Sequence, residues 1–92
     1  MRPLGDDEVD AALAGSPWRR IGGHLVLEHT FESFTAAIGF VDQVARLSEA
    51  ADHHPDIDVR YNAVRLELWT HTTGGLTERD VALAGELAAL LS

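Results

Sequence analysis

The chain reads as an α+β protein: a single four-stranded antiparallel sheet with three helices packed on one face, in the order α-β-β-α-β-β-α. Three observations predict this. Residues 18–31 and 57–71 each alternate apolar and polar side chains around a turn signal, the mark of a hairpin. Residues 33–52 between them carry apolar residues at helical spacing. Shorter helical patterns lie at both ends, and amphipathic helices beside hairpins are expected to cover one sheet face.

Residues 5–14 read as a first helix, with Val9, Ala12 and Leu13 on one face and Gly15-Ser16-Pro17 as its stop. Trp18–Ile21 and His24–Phe31 flank Gly22-Gly23, which accepts the positive φ of a two-residue turn. Ser33 is a plausible N-cap for the long second helix. Phe34, Ile38, Val41, Ala45 and Ser48 form one row on it and Phe40, Val44, Leu47 and Ala51 a second, which predicts a wide buried stripe. Pro55 disfavours a helical His54, so this helix ends before it. In the second hairpin Ile57, Val59 and Tyr61 alternate with charged residues, which places Tyr61 in the core, with Asn62-Ala63 as the turn. Val64, Leu66, Leu68 and Thr70 then alternate with Arg65, Glu67, Trp69 and His71, leaving Trp69 and His71 on the uncovered face. Thr77 and Asp80 resemble a capping box for a third helix whose apolar row is Val81, Ala84, Leu87 and Leu91.

Residues 1–92 are expected to form one small domain with a modest core, a size at which self-association helps stability. The net charge of −8 opposes attraction to nucleic-acid phosphate, and the seven basic residues, all arginine, form no stripe. No apolar run is long enough to span a membrane, and the start has no apolar signal region, so a cytoplasmic protein is the simplest expectation. Without cysteine there are no disulfides, zinc-thiolate sites or thiol catalysis.

Chemistry therefore falls to a dispersed set: Glu49, His53, His54, Pro55, Tyr61, His71 and Asp80. Histidine titrates nearest neutrality and suits proton transfer. Glu49 and His53 are four apart, so a carboxylate there can hold the imidazole in one tautomer; a solvated helix-face charge and a C-cap are the structural alternative. His54, in an extended pre-proline conformation, is expected to point away from His53. Trp69 beside His71 can form a wall for a flat heterocycle, or pack in a subunit interface. Asp80, at the third position of the last helix, is expected to cap it. His24 and His29 carry little functional weight. The adjacent pair His53-His54 with His71 eighteen residues on lacks the usual zinc spacing, so no metal is expected. Gly74-Gly75 is not a phosphate loop, because the chain has no lysine.

The same residues, with their spacing, resemble the pterin-4a-carbinolamine dehydratase family. The likeness extends to Trp18, Tyr61-Asn62-Ala63-Val64, Trp69-Thr70-His71 and Gly75-Leu76-Thr77, over nearly the whole chain. It implies a 4a-hydroxytetrahydropterin substrate that loses water to give quinonoid dihydropterin, by histidine acid–base catalysis with no cofactor. It implies His53, His54 and His71 as active-site histidines: His53 and His71 move protons and His54 mainly holds the pterin. Glu49 is carried over as the residue that orients His53, with Trp69 and Asp80 in support. His29 stands where the family would have an aromatic or apolar strand residue. Two other roles come with the resemblance: a protein-binding dimerisation or regulatory module, and a dehydratase of molybdopterin metabolism. A homodimer or homotetramer is expected, because the uncovered face and edge strands invite self-association.

Overall fold

The structure, a computed structural model, describes residues 2–92; Met1, the first residue of the expected domain, lies outside the described residues. The elements are α1 (Asp6–Ala12), β1 (Arg19–Ile21), β2 (His24–Thr30), α2 (Phe34–Ala51), β3 (Asp56–Arg60), β4 (Ala63–Leu68) and α3 (Glu78–Ala89). The four strands form one antiparallel sheet in the order β1-β2-β4-β3, as the hairpin reading expects. The two hairpins join through β2 and β4, with Leu25 opposite Leu68 and Leu27 opposite Leu66.

That register sets the core. Leu25, Leu27, Val64, Leu66 and Leu68 point to one face and are all but inaccessible to water. Against them pack Val9 of α1, Ala37, Phe40 and Val44 of α2, and Leu83, Ala84 and Leu87 of α3. Each of the large side chains contributes about 1.5–3 kcal/mol by burial. Trp18 is buried with them, and its indole N–H donates to the Ala84 carbonyl at 2.8 Å, tying the entry to β1 to α3. The other sheet face carries ion pairs instead, among them Arg19–Glu28 at 2.6 Å and Arg60–Asp58 at 3.2 Å.

Three sequence expectations change. The buried stripe of α2 is narrower than two full rows: Phe34 and Ile38 are exposed, as are Ala45 and Ala51. The second hairpin turns at Tyr61-Asn62 rather than Asn62-Ala63, because Arg60 pairs with Ala63. Tyr61 consequently lies outside the strand, at a φ of 55° and 71% exposed, rather than in the core. Asn62 takes the inward role: its side-chain N–H donates to the Phe31 carbonyl at 2.7 Å, and its own carbonyl accepts from the Phe31 N–H at 2.8 Å.

Candidate active site

The site lies where the end of α2, the segment after β4 and the start of α3 meet. α2 stops through its backbone. The Asp52 N–H donates to the Glu49 carbonyl at 3.2 Å and the His53 N–H to the Ser48 carbonyl at 3.1 Å, while Asp52 takes a left-handed φ of 50°. This paired return of N–H groups is a Schellman turn. It swings His53 off the helix surface and back toward the body of the protein, where it is buried.

At the start of α3, Thr77 is the N-cap and Asp80 the third helical residue. Asp80 Oδ2 accepts the Thr77 N–H at 2.8 Å, so the expected capping box forms with aspartate in the usual place of glutamate. The same oxygen accepts the Thr70 hydroxyl at 2.6 Å. Thr70 follows β4 and bridges to Gly75, which closes the turn carrying His71. The other oxygen, Asp80 Oδ1, lies 2.6 Å from His53 Nε2.

Asp80 is fully buried, and its Oδ2 accepts from two donors, the Thr77 N–H and the Thr70 hydroxyl. Where Asp80 is the acceptor-only carboxylate, the proton of the His53–Asp80 bond is on Nε2, and Nδ1 is the nitrogen left free for chemistry. Asp80 therefore does more than cap a helix: it holds His53. Glu49 does not. Its carboxylate meets His54 Nε2 at 3.1 Å instead, in a pair open to water. The expected Glu49–His53 pair is replaced because the left-handed turn at Asp52 takes His53 out of the row one helical turn beyond Glu49.

His53, His54 and His71 line one cleft of about 340 Å³, together with Asp52, Thr70, Thr72 and Arg79. Asp52, Thr70, Thr72 and Arg79 are cleft residues that the histidine spacing did not single out; Thr70, in the run Trp69-Thr70-His71, is the one with a visible signal, and Arg79 has none. The Arg79 guanidinium donates to the Asp52 carbonyl and so ties the start of α3 to the end of α2. Trp69 is not an open wall. His24 stacks flat on it, with centroids 4.0 Å apart and planes 8° from parallel, and His71 leans on it at 4.3 Å and 53°. His29 points elsewhere, with its ring edge-on to Phe31 at 4.6 Å.

A second hollow of about 350 Å³ includes Glu28, Asp58, Arg60 and Arg65, whose charges are met within the sheet by Arg19–Glu28, Arg60–Asp58 and Arg65–Glu67 pairs. Of the histidines it contains only His29, whereas the first cleft gathers three imidazoles. Among the described residues no group of three or more histidine or carboxylate side chains is arranged to hold a metal ion, and no helix is long and apolar enough to cross a membrane.

Comparison with known proteins bears on the same chain length. The model of the family described as pterin 4 alpha carbinolamine dehydratase matches residues 2–90. A protein of Thermomicrobium roseum, provisionally named pterin-4-alpha-carbinolamine dehydratase, is 50% identical over 100% of both chains. One of Mycolicibacterium smegmatis with the same provisional name is 45% identical, over 100% of this chain and 99% of its own. Among solved structures, a transcriptional coactivator/pterin dehydratase from Brucella melitensis superposes with a TM-score of 0.92 at 31% identity, covering 99% of this chain and 100% of its own. A pterin dehydratase-like protein identified as a RuBisCO assembly factor in the alpha-carboxysome gives 0.65 at 28% identity, over 82% of this chain and 87% of its own. With the family match spanning nearly every residue, the chain belongs to the pterin 4 alpha carbinolamine dehydratase family.

Proposed function

We propose that this protein removes water from a 4a-hydroxytetrahydropterin, of which 4a-hydroxytetrahydrobiopterin is the expected form, by histidine acid–base catalysis during pterin cofactor recycling. The observation that carries the reading is the convergence of His53, His54 and His71 on one cleft, with His53 fixed by a buried carboxylate.

The elimination needs two proton transfers and one broken bond. A protonated histidine gives its proton to the 4a-hydroxyl, so that water leaves rather than hydroxide. The N5 lone pair forms the C4a=N5 double bond as the C4a–O bond breaks, and a second histidine takes the N5 proton. One imidazole loses a proton and the other gains one, and exchange with solvent resets both. We assign these transfers to His53 and His71, and to His54 the holding of the pterin. Positioned acid–base groups contribute about 10²–10⁴-fold, enough for a carbinolamine that dehydrates by itself.

A dehydratase assay on chemically generated 4a-hydroxytetrahydropterin tests this. His53→Ala and His71→Ala should lower kcat by about 10²-fold or more with a small change in KM. A wild-type rate no faster than the spontaneous one would remove the reading.

A non-catalytic role is the second reading, supported by the relative identified as an assembly factor and by Phe34 and Ile38 standing exposed on α2. A stoichiometric protein partner with no dehydratase activity would favour it. We also propose that the protein works in the cytoplasm, as a homodimer or homotetramer. Light scattering on the purified chain decides the latter, and a monomer at assay concentration would contradict it.

A further inference from the structure

The three cleft histidines are held differently. His53 is bonded to Asp80 and His54 to Glu49. His71 makes no side-chain hydrogen bond among the described residues and sits on the first position of the turn between Thr70 and Gly75. What its ring does meet is Trp69. Trp69 in turn is covered by His24, which lies opposite it at the end of the sheet, one step beyond the Leu25–Leu68 pair. Glu67 of β4, two residues before Trp69, has its carboxylate 3.6 Å from His24 Nδ1. The result is a short stack across two strands: Glu67, His24, Trp69, His71.

Resting on the dehydratase reading, we infer that His24 and Trp69 are positioning residues for His71. Neither has to touch the substrate. An indole between two imidazoles is restrained on one face by His24, and that restraint fixes the surface on which His71 rests. An indole freed on that face can reach other side-chain rotamers, and His71, with no bond of its own, follows it. Proton transfer is steep in distance, and a misplacement of about 1 Å can cost around 10²-fold. A partial loosening one residue removed should cost less, about three- to tenfold. The requirement is for a flat ring at position 24, not for a titrating one, and this separates the stack from general folding support.

The experiment uses the full chain in three forms: wild type, His24→Ala and His24→Phe. Imidazole proton resonances are followed by NMR alongside the dehydratase assay, with His53→Gln, His54→Gln and His71→Gln to assign the rings. In His24→Ala the His71 resonances should move as the ordered ring current of Trp69 is lost, while those of His53 and His54 stay in place. Its kcat should fall by about three- to tenfold with KM within about twofold. His24→Phe should restore both the His71 resonances and kcat. Unmoved His71 resonances in His24→Ala would overturn the inference, and so would a folded His24→Phe that behaves like alanine. If the wild type shows no dehydratase activity, the functional reading fails by itself, and the NMR comparison still decides whether His24 orders His71.

Discussion

His53 and Asp80 are 27 residues apart, and their side chains meet at 2.6 Å in the interior, Nε2 to Oδ1. One carboxylate thus joins two tasks. One oxygen closes the first turn of α3 through Thr77 and Thr70, and the other fixes an imidazole delivered by the end of α2. The helix start and the orientation of His53 cannot vary independently. Asp80→Asn keeps the shape but exchanges one acceptor oxygen for a donor, so one of the facing donors loses its partner. We expect about 1–3 kcal/mol lower stability in urea unfolding, and a kcat lower by about ten- to a hundredfold through loss of the fixed tautomer. A variant with wild-type kcat would show that the pair is purely architectural.

Glu49→Gln is the matching contrast. Its pair with His54 stands in water, with side chains 76% and 56% exposed, and such pairs contribute about 0–1 kcal/mol. The expected result is a kcat within about twofold of wild type and stability within about 0.5 kcal/mol. A large loss of activity would return Glu49 to the place the i,i+4 spacing first suggested.

That spacing shows where the sequence was legible and where it was not. The Ser33 cap, both hairpins and the Thr77–Asp80 box depend on neighbours within a few residues, and all are present. The His53–Asp80 contact depends on a left-handed residue at Asp52, which turns the chain off the helix surface. Nothing in the helical periodicity of residues 33–52 announces that reversal, since aspartate visits this conformation only occasionally. Tyr61 was misplaced for a related reason. The alternation runs one residue past the end of β3, and a bulky residue at positive φ is a rare place for a turn. The stack of His24 on Trp69 needed the register of β2 against β4, which neither hairpin shows alone.

The start of α1 should carry an acid-sensitive contribution to stability. Glu8 accepts from Arg2 at 3.1 Å and from the Gly5 N–H at 3.0 Å. The hydrogen bond from Arg2 comes first and that from Gly5 second in holding its carboxyl at about 2, down from 4.5. Because the folded value is depressed, the contribution is fully present above the unfolded value and is lost as the pH falls through the folded one. Thermal midpoints of wild type and Glu8→Gln should therefore differ near neutrality and converge as the pH falls from about 4.5 to about 2. Added salt should shrink the difference, since the pair is exposed. A gap that stays constant with pH would remove Glu8 as its source.

Tyr61→Gly separates a turn residue from a core residue by the sign of its effect. A non-glycine residue in the left-handed region costs about 1–2 kcal/mol, and glycine gives back about 0.5–1 kcal/mol of that in chain entropy. With a side chain 71% exposed, little burial is lost. Urea unfolding should show a change between none and a gain of about 1.5 kcal/mol. A core tyrosine truncated this far would cost about 3–5 kcal/mol, and a loss of that size would place the ring against a partner.

Ser48 offers the cleanest test of how α2 delivers His53. It is 2% exposed, and among the described residues its hydroxyl is the one buried side-chain polar atom with no hydrogen-bond partner. Its carbonyl, by contrast, receives the His53 N–H. An unpartnered buried hydroxyl costs about 1–3 kcal/mol, and alanine is also the better helix former. Ser48→Ala should therefore raise stability by about 1 kcal/mol. It should leave kcat unchanged, because the turn that places His53 uses the backbone at this position and not the side chain. A less stable variant would mean that the hydroxyl is satisfied in solution by a bound water. A stable variant with lower kcat would mean that packing at position 48, as well as the turn, sets where His53 lies.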